Sequence, residues 1–210
     1  IVAGLASMTG CGNTYRPVVS AINPVGPAGQ PVKYAVAISS PSPTSNGLAT
    51  LVDFSGDTVL VTASLGVNPY YFILNGTGTT GYTLNSDKTV TSFDVSPSLI
   101  SSEVLETTLL PGANPVSLFA STASTYISDP GTSSVDQLAG TPPALKQPLP
   151  VTANPIFVVG QSGSPRIYAI SQGTGGGPGD VAAIETSGNT ISSTLPVGRG
   201  PVYGVMTNDL

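Results

Sequence analysis

Short apolar runs punctuated by Gly, Pro and Asn recur along most of this chain. Residues 70–74 (YYFIL), 116–120 (VSLFA), 156–159 (IFVV) and 202–206 (VYGVM) are mostly apolar and each follows a proline turn. A continuous apolar run bounded by turn residues predicts a strand buried on both faces. A second run bearing a tyrosine comes next: 81–85 (GYTLN), 125–129 (TYISD) and 166–171 (RIYAIS). A third run closes near an acid, at 49–53 (ATLVD), 91–94 (TSFD), 134–136 (SVD) and 182–185 (AAIE). A fourth leads into the next turn, over 59–65, 104–110, 145–151 and 191–197. No window shows the 3.6-residue spacing of an amphipathic helix, so the elements predicted are all strands.

The runs repeat as a set. Prolines at 31, 69, 115, 155 and 201 are separated by 38, 46, 40 and 46 residues, and three of them follow Asn (Asn68, Asn114 and Asn154). The turn chemistry suits the place, because Pro presets φ while Asn and Gly tolerate left-handed backbone. A unit of this size with four short strands is one blade of a β-propeller. One such sheet cannot bury both faces alone, and stacking around an axis covers them. A β-sandwich also alternates strands and polar turns, but it does not repeat an Asn-Pro turn at this period. The expected fold is therefore all-β: an incomplete β-propeller of about four blades, each a four-stranded antiparallel sheet. The units are 31–68, 69–114, 115–154 and 155–200, with 201–210 opening the next. The first unit holds only three strands, with 33–39 as its Tyr-bearing second strand. Three further blades are expected beyond Leu210, giving a seven-bladed ring.

The repeat resembles the YVTN family of β-propeller proteins. The likeness rests on Tyr82-Thr83-Leu84-Asn85, on Phe93-Asp94 and Ile184-Glu185, and on the turn from Leu195 to Pro201 (LPVGRGP). It covers roughly 31–210; the family's usual Ser-Pro-Asp-Gly turn is missing. Such a resemblance implies a cell-surface or envelope protein.

Residues 1–11 read IVAGLASMTGC, an apolar stretch followed by small residues and the chain's one cysteine. That is how a secretory signal ends, and Met8, Thr9, Gly10 and Cys11 resemble a bacterial lipobox. The resemblance implies that the Cys11 thiol carries a diacylglyceryl group and that cleavage occurs before it. Two or three acyl chains anchor stably where one does not. Residues 1–10 are then a truncated lipoprotein signal peptide, and 11–30 a lipid-anchored Cys with a Pro/Gly-rich tether. The bland alternative is a buried free cysteine in an N-terminal strand. Gly12 after the cysteine favours the outer membrane or cell surface over retention on the periplasmic side.

Composition narrows the chemistry. Only 8% of residues are charged and the net charge is −5, which argues against a nucleic-acid partner needing a basic stripe. The sequence contains no His, so neither a Ser-His-Asp triad nor a His-based metal site can be built from it. Asp53, Asp94, Asp136 and Glu185 recur once per unit, as a ring of carboxylates for a cation or, the preferred reading, as turn acids closing strands. The run 173–179 (GTGGGPG) lacks the Lys-Ser/Thr of a phosphate loop and reads as a hairpin. Tyr82, Tyr126 and Tyr168 read as packing residues with hydroxyls reaching a turn or rim. Asn75-Gly76-Thr77 matches a glycosylation sequon of the kind little used in bacteria.

No catalytic, metal or cofactor-binding residue is assigned, and no cofactor is expected; the assigned site is lipidation at Cys11. The function expected is an envelope lipoprotein whose propeller binds an unknown protein or small molecule, with the membrane as partner through Cys11. The alternatives are a propeller enzyme (lactonase-like, or a metal- or quinone-dependent oxidoreductase) with its catalytic residues in further blades, and an assembly scaffold for another envelope protein.

Overall fold

A computed structural model describes residues 33–54, 56–121 and 123–207. Four antiparallel sheets follow one another along the chain. The first contains β1 (Tyr34–Ser39), β2 (Asn46–Asp53) and β3 (Thr58–Val67). The second contains β4 (Pro69–Leu74), β5 (Thr80–Asn85), β6 (Thr89–Asp94) and β7 (Leu105–Thr108). The third runs β8 (Ser117–Ala120), β9 (Ser124–Asp129), β10 (Ser134–Ala139), then two short pieces, β11 (Ala144–Leu145) and β12 (Leu149–Pro150), both paired to β10. The fourth contains β13 (Pro155–Gly160), β14 (Arg166–Ser171), β15 (Pro178–Glu185) and β16 (Thr190–Arg199). Strands pair with their sequence neighbours in an up-and-down meander, which is the build of a propeller blade.

The four-strand expectation needs one adjustment. Residues 145–151 form two short pieces instead of one strand, because Pro148 and Pro150 have no amide hydrogen to donate to a continuous ladder.

Three apolar seams hold the sheets face to face. Leu51, Leu65 and Phe93 join the first sheet to the second. Leu84, Val90, Leu118 and Ile127 join the second to the third. Tyr126, Val135, Ile167 and Ile184 join the third to the fourth. Strands covered on both faces lose the alternation of a half-buried strand. In β10 residues 134–138 are all buried, whereas β1, packed on one face, alternates half-buried and exposed positions.

Buried hydroxyls do structural work at these seams. Ser117 Oγ accepts the amide of Val158 at 3.0 Å, and Thr91 Oγ1 accepts that of Gly66 at 3.1 Å. Each satisfies a backbone donor of the neighbouring sheet that burial would otherwise leave unpaired.

The recurring prolines have a packing role. A side chain at Gly47 would collide with the Pro69 ring and the Ser39 carbonyl, and one at Gly179 would collide with the Pro201 ring and the Ser171 carbonyl. Ser39, Gly47 and Pro69 thus occupy the places of Ser171, Gly179 and Pro201. This aligns β1, β2 and β3 with β14, β15 and β16, so the first sheet lacks an innermost strand among the described residues. Conversely, residues 201–206 lie against the fourth sheet without a backbone ladder. The Tyr203 ring meets Phe157 at 4.8 Å between centroids, and Gln172 Nε2 donates to the Pro201 carbonyl at 2.9 Å. Strands β4, β8 and β13 pack side by side as the innermost strands of their sheets.

Candidate functional site

The loops joining first to second and third to fourth strands all project from one end of the sheets. At that end the seam between the second and third sheets opens into a cleft of about 650 Å³. The second sheet contributes Thr80, Tyr82, Ser92, Phe93 and Asp94, and its long loop 95–104 adds Ser96, Ser98 and Glu103. The third sheet contributes Ser121, Ser124, Thr125 and Leu138, with residues 139–141 and Pro143. A smaller notch of about 280 Å³ lies at the same end of the next seam, beside Tyr126, Ser164 and Thr186.

The walls of the larger cleft are fixed. Loop 95–104 buries Leu99 in the seam on its far side, and Ser101 Oγ accepts the Ser64 amide at 2.9 Å. Ser96 and Ser98 share a hydrogen bond of 2.8 Å. On the opposite wall, Gln137 Nε2 donates to Ser124 Oγ at 3.0 Å and Ser121 Oγ donates to the Ser124 carbonyl at 2.9 Å. Two carboxylates, Asp94 and Glu103, face this cleft, and no Lys or Arg lines it. The matching acid of the fourth sheet differs: on the face turned away from the third sheet, Glu185 pairs with Arg166, which lowers the Glu185 carboxyl below its usual range and raises the guanidinium.

The recurring acids separate into two kinds. Asp53, Asp94 and Glu185 each close a third strand, opposite Tyr34, Thr80 and Arg166. Asp136 does not belong with them. It sits mid-strand in β10 opposite Ile127, fully buried, and Ala139 takes the strand-closing place. The described residues contain no group of three His, Cys, Asp or Glu able to hold a metal. Asp136 accepts a hydrogen bond from Ser134 at 2.8 Å through Oδ1, while Oδ2 has no partner. Burial pushes its carboxyl above the usual range; the Ser134 bond opposes this, and the charge of Asp129 adds to it.

A carboxyl raised in the folded state is best tolerated protonated, so its contribution to stability falls as pH rises through the window between its unfolded and folded values. Asp136→Asn is therefore expected to leave stability near pH 4 almost unchanged and to raise it by about 1 kcal/mol at pH 7. Urea unfolding at the two pH values checks this, and equal differences at both would contradict it.

Other sequence features take structural places. Residues 173–177 form the turn between β14 and β15, with Gly173, Gly175 and Gly176 at positive φ. Asn68 and Asn154 adopt positive φ in their turns, while the Asn114 amide donates to Asp129 Oδ1 at 2.7 Å. Tyr82, Tyr126 and Tyr168 hold matching places opposite Ile73, Phe119 and Val159. Tyr70, which the apolar run 70–74 gave no polar role, donates its hydroxyl to the Pro115 carbonyl; burial, then Asp129, pushes it up to about 12. Asn75 Oδ1 accepts the Thr79 amide at 2.9 Å within its own loop. Cys11 lies outside the described residues. Sequence reading overlooked the cleft itself, and the signal available was the length and polarity of loop 95–104 beside the short 186–189 connection of the fourth sheet.

No family model matches the sequence, and no curated protein matches it. Solved structures do match in fold. Hydrazine synthase of Kuenenia stuttgartiensis superposes with a TM-score of 0.59 at 16% identity, over 83% of this chain and 53% of that one. A 6-phosphogluconolactonase candidate from Bacteroides fragilis gives 0.55 at 18% identity, over 81% and 55%. AztD from Citrobacter koseri gives 0.60 at 10% identity, over 84% and 47%. The chain thus spans about half the length of each of these structures. With its four successive antiparallel meanders, it is an all-β chain of the β-propeller fold.

Proposed function

We propose that this chain is part of a bacterial envelope lipoprotein whose YVTN-type propeller is a binding module, held at the membrane by acyl chains on Cys11. The observation that carries the binding role is the cleft between the second and third sheets. Its polar lining stands on walls tied down by hydrogen bonds and by Leu99, and variable loops on a rigid scaffold are where binding concentrates. The lipobox-like residues 8–11 and the Pro/Gly-rich stretch after them support the anchor. Gly12 supports placement at the outer membrane or cell surface. Some of the fold neighbours are 6-phosphogluconolactonase candidates. A phosphorylated substrate suits this cleft poorly, because its charged side chains are both carboxylates.

The anchor is tested by expressing the chain in a bacterial host behind a start codon and a basic leader. The unmodified protein is expected to sediment with membranes and to incorporate labelled fatty acid. Cys11→Ala is expected to lose the label and move to the soluble fraction by about tenfold or more. A variant that sediments like the parent protein would overturn the lipid anchor.

A further inference from the structure

We propose that the cleft between the second and third sheets takes an amino sugar, its hydroxyls bound by the serine and threonine wall and its ammonium by Asp94 and Glu103. This rests on the reading of the chain as a binding module. Three observations converge on that ligand class.

The first is the state of the hydroxyls. Ser92 and Thr125 are 6% and 3% exposed, and both line the cleft. Neither hydroxyl has a hydrogen-bond partner among the described residues, and neither is a sealed, unsatisfied atom, so both remain open to whatever fills the cleft. Each can donate and accept, and so matches a ligand bearing O–H groups on neighbouring carbons.

The second is charge. Asp94 and Glu103 are the charged side chains of the cleft, and no described cation pairs with either. Carboxylates only accept hydrogen bonds, so they call for N–H and O–H donors. Their charge repels phosphorylated and acidic sugars and attracts an ammonium. Two carboxylates without a third ligand make a poor cage for a hard cation, which takes six or more oxygens.

The third is shape. The cleft has an apolar floor at Leu138 and a half-buried aromatic side at Tyr82, beneath a polar rim. A sugar ring offers the same division, with C–H faces and a hydroxyl edge. A volume of about 650 Å³ is within the range of small-molecule sites and suits a short oligosaccharide.

The test is calorimetric titration of the full chain with three probes: a glucosamine trisaccharide, its N-acetylated form and glucose 6-phosphate. The free amine is expected to bind, acetylation to weaken binding by about tenfold, and the sugar phosphate to give no binding. Asp94→Asn and Glu103→Gln are each expected to weaken amine binding by about fivefold, while the distant Asp57→Asn leaves it unchanged. Both cleft positions are exposed, so the thermal midpoint should not move. Absence of binding at millimolar amine, equal affinity for amine and acetylated forms, or indifference to both cleft variants would each overturn the proposal. These outcomes are independent of the anchor. Cys11→Ala should bind the amine as the parent does, and the cleft variants should still sediment with membranes.

Discussion

Tyr126→Ala is expected to cost about 3–5 kcal/mol of stability, the range for truncating a buried aromatic side chain. Tyr126 is 0% exposed in the seam between the third and fourth sheets, packed among Val135, Val158, Ile167 and Ile184. Its hydroxyl accepts from Gln137 Nε2 at 3.2 Å, and burial raises its ionisation above the usual phenol value. Removing the ring leaves a cavity bounded by two sheets that are each held in register by their own ladders, so collapse around it is limited. Tyr126→Phe keeps the ring and is expected to cost about 1 kcal/mol, since Gln137 Nε2 retains Ser124 Oγ as an acceptor. Tyr168→Ala makes the sharper comparison. It removes the same residue type from the matching place of the fourth sheet, where the ring is only half-buried, and should cost about half as much. Urea denaturation of the three variants measures the differences. Equal losses at 126 and 168 would mean that the seam between the third and fourth sheets does not set the energetics of the repeat.

Gly131→Ala is expected to lower stability by about 3 kcal/mol, at the upper end for forced overpacking. An added Cβ there would collide with the Gly112 carbonyl and stand 2.7 Å from the Asn114 amide nitrogen. Both obstacles are backbone atoms, which cannot rotate away as a side chain can. The segment they belong to is tied to the same turn. Asp129 Oδ1 accepts the amides of Asn114 at 2.7 Å and Gly131 at 2.9 Å, and its Oδ2 accepts Thr132 Oγ1 at 2.7 Å. Relieving the collision means moving residues 112–114 away and losing the Asn114–Asp129 bond, which strips a buried carboxylate of a charge-assisted partner. Gly163→Ala is the control. Gly163 has φ of 81° with open space around it, so only the backbone preference is lost, about 1 kcal/mol. A loss at 131 no larger than that at 163 would show that the turn and the preceding loop give way freely.

The fold neighbours include hydrazine synthase, AztD and lactonase candidates at 10–18% identity. That spread fits a scaffold that hosts unrelated chemistries, so the fold carries no function by itself. What distinguishes this chain is its side chains, since Arg166 neutralises Glu185 on the fourth sheet while Asp94 and Glu103 face a cleft that no Lys or Arg lines.

Much of the architecture was legible along the chain because it rests on local rules. Apolar runs after Pro69, Pro115 and Pro155 became the innermost strands, and the tyrosines at 82, 126 and 168 fell on matching second-strand places. Strand period, turn chemistry and repeat length are properties of consecutive residues, so a sequence displays them directly. The lipobox likeness at Met8–Cys11 is equally local, and it stands on sequence alone. The errors came where the partner decides. Asp136 resembled the strand-closing acids Asp53, Asp94 and Glu185, but cross-strand register set it opposite Ile127 in the interior. The cleft was likewise invisible. Ser92 and Thr125 belong to different sheets, and their hydroxyls face a common space because of how two sheets stack and where loop 95–104 is pinned by Leu99. Composition and spacing therefore determined that this chain is a series of repeated antiparallel β-units, while sheet stacking decided which polar groups are buried, paired or left facing a cleft. Strand formation depends on near neighbours in the chain, and burial depends on whatever sheet comes to lie across the seam.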